Sequence, residues 1–201
     1  MMEPFPTPIV YVSKCLGFAP CRYDGQVIEN AVVPKLQSYV EFRPVCPEVE
    51  IGLGVPRKPI RIIETDGKKV LYQPATGKDV THEMETFVDT FLGGITEVDG
   101  FFLKTRSPSC GPQDVKIYPG FENVSRTFRG SGFYGGEVVK RFEGLPVEDE
   151  GRLRNFTIRE NFFTRLFVFA RFREVKARQT MQALVDFHTH HKLMLMGYNQ
   201  S

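Results

Sequence analysis

No stretch of the 201-residue chain approaches the ~18 consecutive apolar residues of a membrane-spanning helix, so no membrane role is expected. The opening MMEPFPTP has neither a basic n-region nor an apolar h-region, so no signal peptide is expected. Cysteine is sparse. The chain has four, and no two stand as Cys-x-x-Cys, which argues against a zinc ribbon or a thioredoxin-like motif. The expected compartment is the cytoplasm, where thiols stay reduced and a cysteine set more often means metal or catalysis than disulfides. Net charge is only +2, and 41% hydrophobic with 25% charged residues is ordinary for a soluble globular protein.

The charge that is present is unevenly distributed. Residues 151–201 hold nine Lys/Arg against three Asp/Glu, while residues 1–150 hold seventeen against twenty-one. This asymmetry implies two units: 1–150, which carries the chemistry, and 151–201, a basic helical segment read as an incomplete second domain suited to an acidic partner.

Residues 1–150 read as alternating strands and helices. Ile9–Ser13, Val40–Val45, Gly100–Lys104 and Leu145–Val147 are strand-like, with helical patterns over Ile28–Tyr39, Asp79–Leu92 and Gly135–Phe142. Arg61–Glu64 and Lys69–Gln73 flank Thr65-Asp66-Gly67-Lys68 and read as a hairpin. The expected fold is α/β and Rossmann-like, with a mostly parallel sheet covered by helices on both faces. Beyond residue 150 the pattern predicts an Arg- and Phe-rich amphipathic helix over Arg152–Gln179 and a second helix over Thr180–Met196. His188, His190 and His191 on that second helix lack a cysteine or carboxylate at ligand spacing and read as helix surface or RNA contact.

Three cysteines each follow a strand-like run. Cys15 closes IVYVSKC, Cys46 ends VEFRPVC, and Cys110 ends FFLKTRSPSC. Ligands in parallel α/β sheets bind beyond the carboxyl ends of the strands, so these three thiols are expected at one sheet edge. Three thiolates hold a metal centre and are one short of closing an iron–sulfur cube. Arg22, Arg57 and Arg106 lie nearby in the sequence and are expected to favour the thiolate form. The plainer reading is that the cysteines are simply buried. Cys21, in a loop six residues after Cys15, reads as a spectator.

The motifs S-x-C-L-G-x-x-x-C-R-Y-D-G, V-C-P-E-V-E-x-G-L-x-V-P-R and K-x-R-S-P-S-C-G occur in order across about residues 8–148, and together they resemble the thiouracil desulfidase (TudS) family. R-E-N-F-x-x-R-L-F and L-V-x-F-H-T-x-H-K-L resemble the helical domain often fused behind it, in enzymes that remove sulfur from 4-thiouridine in transfer RNA. The resemblance implies a 4Fe-4S cluster on Cys15, Cys46 and Cys110 with one open iron, and catalytic roles for Glu48 and Ser107. Arg22, Tyr23, Asp24, Arg106 and Ser109 are the candidate substrate contacts. On the residues alone, Glu48 also reads as a loop anchor and Ser107 as a turn former, and Asp24 reads first as a turn residue.

The expected reaction is non-redox desulfuration of thiolated uracil, either as 4-thiouridine in transfer RNA or as free thiouracil. The rival from another class is a zinc-bound RNA-binding module that uses all four cysteines.

Overall fold

The computed structural model describes residues 5–121 and 127–198; residues 1–4, which begin the stretch read above for a leader, lie outside the description, as do 122–126 and 199–201. In chain order the elements are β1 (Ile9–Ser13), α1 (Val33–Leu36), β2 (Glu41–Val45), α2 (Pro47–Glu50), β3 (Arg61–Thr65), β4 (Lys68–Gln73), β5 (Lys78–Asp79), α3 (Thr81–Gly93), β6 (Gly100–Leu103), β7 (Val115–Tyr118), β8 (Phe128–Gly130), α4 (Phe133–Arg141), β9 (Val147–Asp149), a 3-10 turn at Arg152–Arg154, α5 (Phe156–Arg178) and α6 (Met181–Tyr198).

β1 and β6 are short apolar runs buried on both faces, as expected of parallel strands with helices above and below. They form an all-parallel sheet in the order β2-β1-β6-β9. β1 pairs with β2 from Ile9↔Glu41 to Ser13↔Val45, and with β6 from Val10↔Gly100 to Val12↔Phe102. The chain runs from β1 to β2 on one side and later enters β6 on the other. The carboxyl ends of these three strands therefore lie side by side at a topological switch point.

One face of this sheet packs Val10, Val12 and Phe102 against Val33 and Leu36 of α1 and Phe162 and Leu166 of α5. The other packs Phe101 and Leu103 against Met84, Val88 and Leu92 of α3 and Val138 of α4. α5 thus begins after the charge boundary at residue 150 yet joins the same core. Its seat on the sheet is close: a Cβ at Gly100 would stand 2.3 Å from Leu166 Cδ2 and 2.9 Å from Pro146 O. At the amino end of the sheet, buried Asp99 accepts the Ile9 N–H at 2.8 Å and pairs with Arg173 of α5 at 3.1 Å. That arginine clamps helix to sheet.

A second sheet, β5-β4-β3-β7-β8, is mixed. The β3–β4 hairpin turns on Asp66-Gly67, both with positive φ, the chemistry a two-residue turn requires. β7, β8, β5 and α2 were not anticipated from the sequence. The helix expected over Ile28–Tyr39 shrinks to Val33–Leu36. Ile28 N–H donates instead to Cys15 O, and Asn30 Oδ1 accepts from Val32 and Val33 N–H, so the helix starts only before Pro34. The last strand lies two residues later than expected, because Pro146 O accepts from Phe101 N–H and fixes the register Phe101↔Val147. Among the described residues no helix is long and apolar enough to cross a membrane.

Leu166→Ala should destabilise the protein by about 2–5 kcal/mol in urea unfolding, as for other fully buried leucines. Gly100→Ala should also destabilise it, and the double variant should cost less than the sum because the smaller side chain makes room for the new methyl.

Candidate active site

Each strand of the switch point delivers one loop to the same edge. Lys14 N–H donates to Val45 O, tying the ends of β1 and β2, and Lys104 N–H donates to Ser13 Oγ, tying the ends of β1 and β6. Cys15, Cys46 and Cys110 line one cavity of about 300 Å³ beyond those ends. The three thiols expected to meet at the sheet edge do meet there.

The Cys110 loop is built against α4. Gly132 N–H donates to Gly111 O, Phe133 N–H to Pro108 O and Gly135 N–H to Ser109 O. The contact is backbone on backbone: a Cβ at Gly135 would stand 2.3 Å from Cys110 O, and one at Gly132 2.5 Å from Ser109 O. Glycine at both positions lets the start of α4 rest directly on the cysteine loop.

Glu48, in the single turn of α2 opened by Pro47, is buried and reaches the same cavity. Its Oε2 accepts from Arg57 Nε at 2.7 Å and its Oε1 from Ser109 Oγ at 2.5 Å. Ser109 Oγ lies 3.1 Å from Ser107 Oγ, which accepts the Cys110 N–H at 3.0 Å. The arginine also donates to Cys21 O and Gly54 O, each at 3.0 Å. One guanidinium therefore joins the Cys21 loop, the Glu48 turn and the segment after it. Sequence reasoning gave Arg57 no part beyond its charge; its place in V-P-R, within the second motif, was the available signal.

The remaining candidates divide. Arg22, Tyr23 and Arg106 line the cavity, with the Arg22 guanidinium 4.9 Å over the Tyr23 ring. Arg106 pairs outward with Asp114 at 2.9 Å. Asp24 is not among the lining residues; it accepts the Gln26 N–H and pairs with Arg22, which is its turn-forming reading. Ser109 is fully buried and reaches the site through Glu48.

The electrostatics correct one expectation. The arginines do not hold Cys21, Cys46 or Cys110 low, and at Cys21 the lowering effect of Arg57 is outweighed. Hydrogen bonding with the Cys15 thiol, together with burial, raises Cys21 to about 11, against an opposing contribution from Cys46. Cys46 is raised by hydrogen bonding with Cys21 and then by burial, and Cys110 mainly by burial. Arg57 is engaged by Glu48, Arg22 by Asp24 and Arg106 by Asp114, so their charge is largely compensated. Cys21 is also no bystander in space, since it lines the cavity and its neighbours are two of the three strand-end cysteines.

The donor set suits an iron–sulfur cube. A cube takes its thiolates at separate corners, and Cys15, Cys46 and Cys110, each from a different strand end, stand around a common cavity with Cys21 beside them.

Residues 10–150 match the family described as 2-thiouracil desulfurase. The uncharacterized protein YbbK of Bacillus subtilis (strain 168) is 32% identical over 112 residues, which cover 51% of this chain and 73% of that protein. The solved structure of the 4Fe-4S-dependent thiouracil desulfidase TudS is similar at a TM-score of 0.58 and 28% identity, covering 77% of this chain and 99% of that one.

In the reduced, cluster-free protein the raised thiols set a pH dependence. Unfolded cysteine loses its proton near 9.0, whereas Cys21 in the fold keeps it to about 11. Between those values the unfolded state binds fewer protons, so stability falls as pH rises. Urea midpoints under reductant should drop from about pH 9 to about pH 11, and Cys21→Ser should flatten the slope.

Proposed function

The chain belongs to the 2-thiouracil desulfurase family, an enzyme family, and from that premise we propose that it hydrolyses the thiocarbonyl of a thiolated uracil, releasing sulfide and leaving the oxygen-bearing base, with 4-thiouridine in transfer RNA as the substrate. The observation that carries the reading is the cavity itself: three strand-end cysteines and a buried, hydrogen-bonded carboxylate around about 300 Å³. That is the low end of the size range of small-molecule pockets.

Cys15, Cys46 and Cys110 would hold a 4Fe-4S cluster. When bound, such a cluster supplies one iron without a protein ligand, a Lewis acid matched to the soft sulfur of a thiocarbonyl. The protein's own residues do the rest. Arg57 fixes the Glu48 carboxylate, which takes up the proton of the attacking water. Ser107, on the cavity wall, returns a proton to the base or to the departing sulfur. The exposed Tyr23 ring at the mouth offers a stacking face for a pyrimidine. Water in and hydrogen sulfide out balance the reaction, and no electron leaves the cluster.

Support for a nucleic-acid substrate comes from a groove that shares Arg22, Lys104 and Arg106 with the cavity and continues along Arg152, Arg154 and Arg159. Arg22, Lys104, Arg106 and Arg152 are paired with Asp24, Glu150, Asp114 and Glu148, so the cations on this path that best suit a phosphate backbone are Arg154 and Arg159. Not all the basic residues of the C-terminal segment are available for that. Arg173 is clamped to Asp99, Arg152 pairs with Glu148 and Arg165 donates to Gly144 O.

The test is anaerobic reconstitution followed by turnover of 4-thiouracil and of transfer RNA carrying 4-thiouridine. A brown protein with iron and sulfide in equal amounts is expected, active on both and losing its cluster when Cys15, Cys46 or Cys110 is replaced by Ser. Cys21→Ser should keep the cluster, and Glu48→Gln should lower kcat by about 10²–10⁴-fold. Arg154→Glu with Arg159→Glu should weaken turnover of the RNA while sparing the free base. A colourless protein with stoichiometric zinc rejects the reading, and activity confined to the free base rejects its RNA part.

A further inference from the structure

The hydrogen bonds around Glu48 have a direction. A carboxylate only accepts, so Ser109 Oγ gives its single proton to Glu48 Oε1. Ser109 then has no proton left for Ser107, and in their 3.1 Å contact Ser107 must be the donor. Ser107 Oγ is itself an acceptor toward the Cys110 N–H and stands on the cavity wall, partly exposed. With Glu48 ionised, the donors point from the cavity inward: Ser107 to Ser109 to Glu48. Ser109 is fully buried and does not line the cavity.

Glu48 reaches the cavity wall, but both its oxygens are already engaged, one by Arg57 and one by Ser109. We propose that Ser109 is the middle link of a proton relay carrying the proton of the attacking water from Ser107 to Glu48. This rests on the desulfuration reading above. As the water oxygen bonds to the carbon bearing sulfur, its O–H bond breaks and the proton moves to Ser107 Oγ. Ser107 passes its own proton to Ser109 Oγ, and Ser109 passes its own to Glu48 Oε1. Each hydroxyl gives one proton as it takes another, so neither serine carries charge. When the C–S bond breaks, its electron pair leaves with sulfur; the remaining O–H proton passes to the sulfur as the carbonyl forms, and the proton on Glu48 returns along the same chain, so sulfur departs as hydrogen sulfide. The net change is thiocarbonyl plus water to carbonyl plus hydrogen sulfide, with no oxidant.

Ser109 acts through Glu48 and is a positioning residue, not a substrate contact. It also neighbours the Cys110 thiol, so cluster content has to be read alongside rate. Ser109→Ala is expected to lower kcat by about 100-fold with KM, iron content and absorption spectrum unchanged. In mixed H₂O and D₂O the wild-type rate should curve with deuterium content, as for several protons in flight, and the variant's should be linear. Glu48→Gln with Ser109→Ala should be no slower than Glu48→Gln alone, because the relay has no other terminus. Ser109→Cys, of similar shape and a weaker donor, should give an intermediate kcat and serves if the alanine variant does not load. A kcat within about threefold of wild type, additive losses in the double variant, or an altered cluster spectrum would each overturn the relay. A wild-type protein inactive on every thiolated uracil sinks the function and the relay together, whereas an active wild type with an indifferent Ser109 sinks the relay alone.

Discussion

Parallel pairing of β1 with β2 and with β6 is the constraint on which the rest of the molecule depends. The two registers bring three strand ends together, and each strand end carries a loop with one cysteine. A one-residue slip in either pairing would turn the apolar side chains of a short strand to the wrong layer. Val10, Val12, Phe101, Phe102 and Leu103 are almost fully buried on one face or the other, so the register is strongly enforced. The same burial that stabilises the sheet sets the spacing of the thiols.

On top of that frame sits a small polar network whose parts depend on one another. Arg57 and Glu48 are both buried, and a buried charge left without its partner costs several kcal/mol. Ser109 satisfies the other carboxylate oxygen and hands the network to Ser107 and the Cys110 amide. The loop holding a candidate cluster ligand and the turn holding the candidate base are therefore one hydrogen-bonded unit. Backbone contacts from α4, possible only because Gly132 and Gly135 lack side chains, press that unit into place. Hydrogen bonding with Cys21 together with burial favours the protonated form of Cys46, as burial does at Cys110, so binding a cluster there is coupled to loss of those protons.

Local pattern made much of this legible. β1 was visible at its true bounds because four apolar, largely β-branched residues in a row, closed by Ser13, suit a strand buried on both faces. The hairpin was visible in Asp66-Gly67 and the second helix in the apolar spacing of Met84, Val88 and Leu92. The Ile28–Tyr39 segment misled because its composition is helical while Asn30 and Pro34 restrict where a helix can start. The Arg-rich helix misled in part as well. Arg173 reads as solvated charge until Asp99, seventy-four residues away, is seen to hold it.

What the sequence determined by itself was the donor inventory and its order along the chain. Three cysteines after three strands, an acid two residues beyond the second and serines before the third are local facts, and local spacing preserves them. Only the tertiary structure decided which of these groups touch and in which direction their protons run. Ser109, read as a candidate substrate contact, is buried and donates to Glu48, and Cys21, read as a spectator, stands beside two candidate ligands. Arg57 changed from a stray positive charge to the partner of Glu48. Ser109 and Glu48 are sixty-one residues apart, and the nearer pairs meet only across folded loops, so these contacts are set by how sheets and loops pack, which no local pattern encodes.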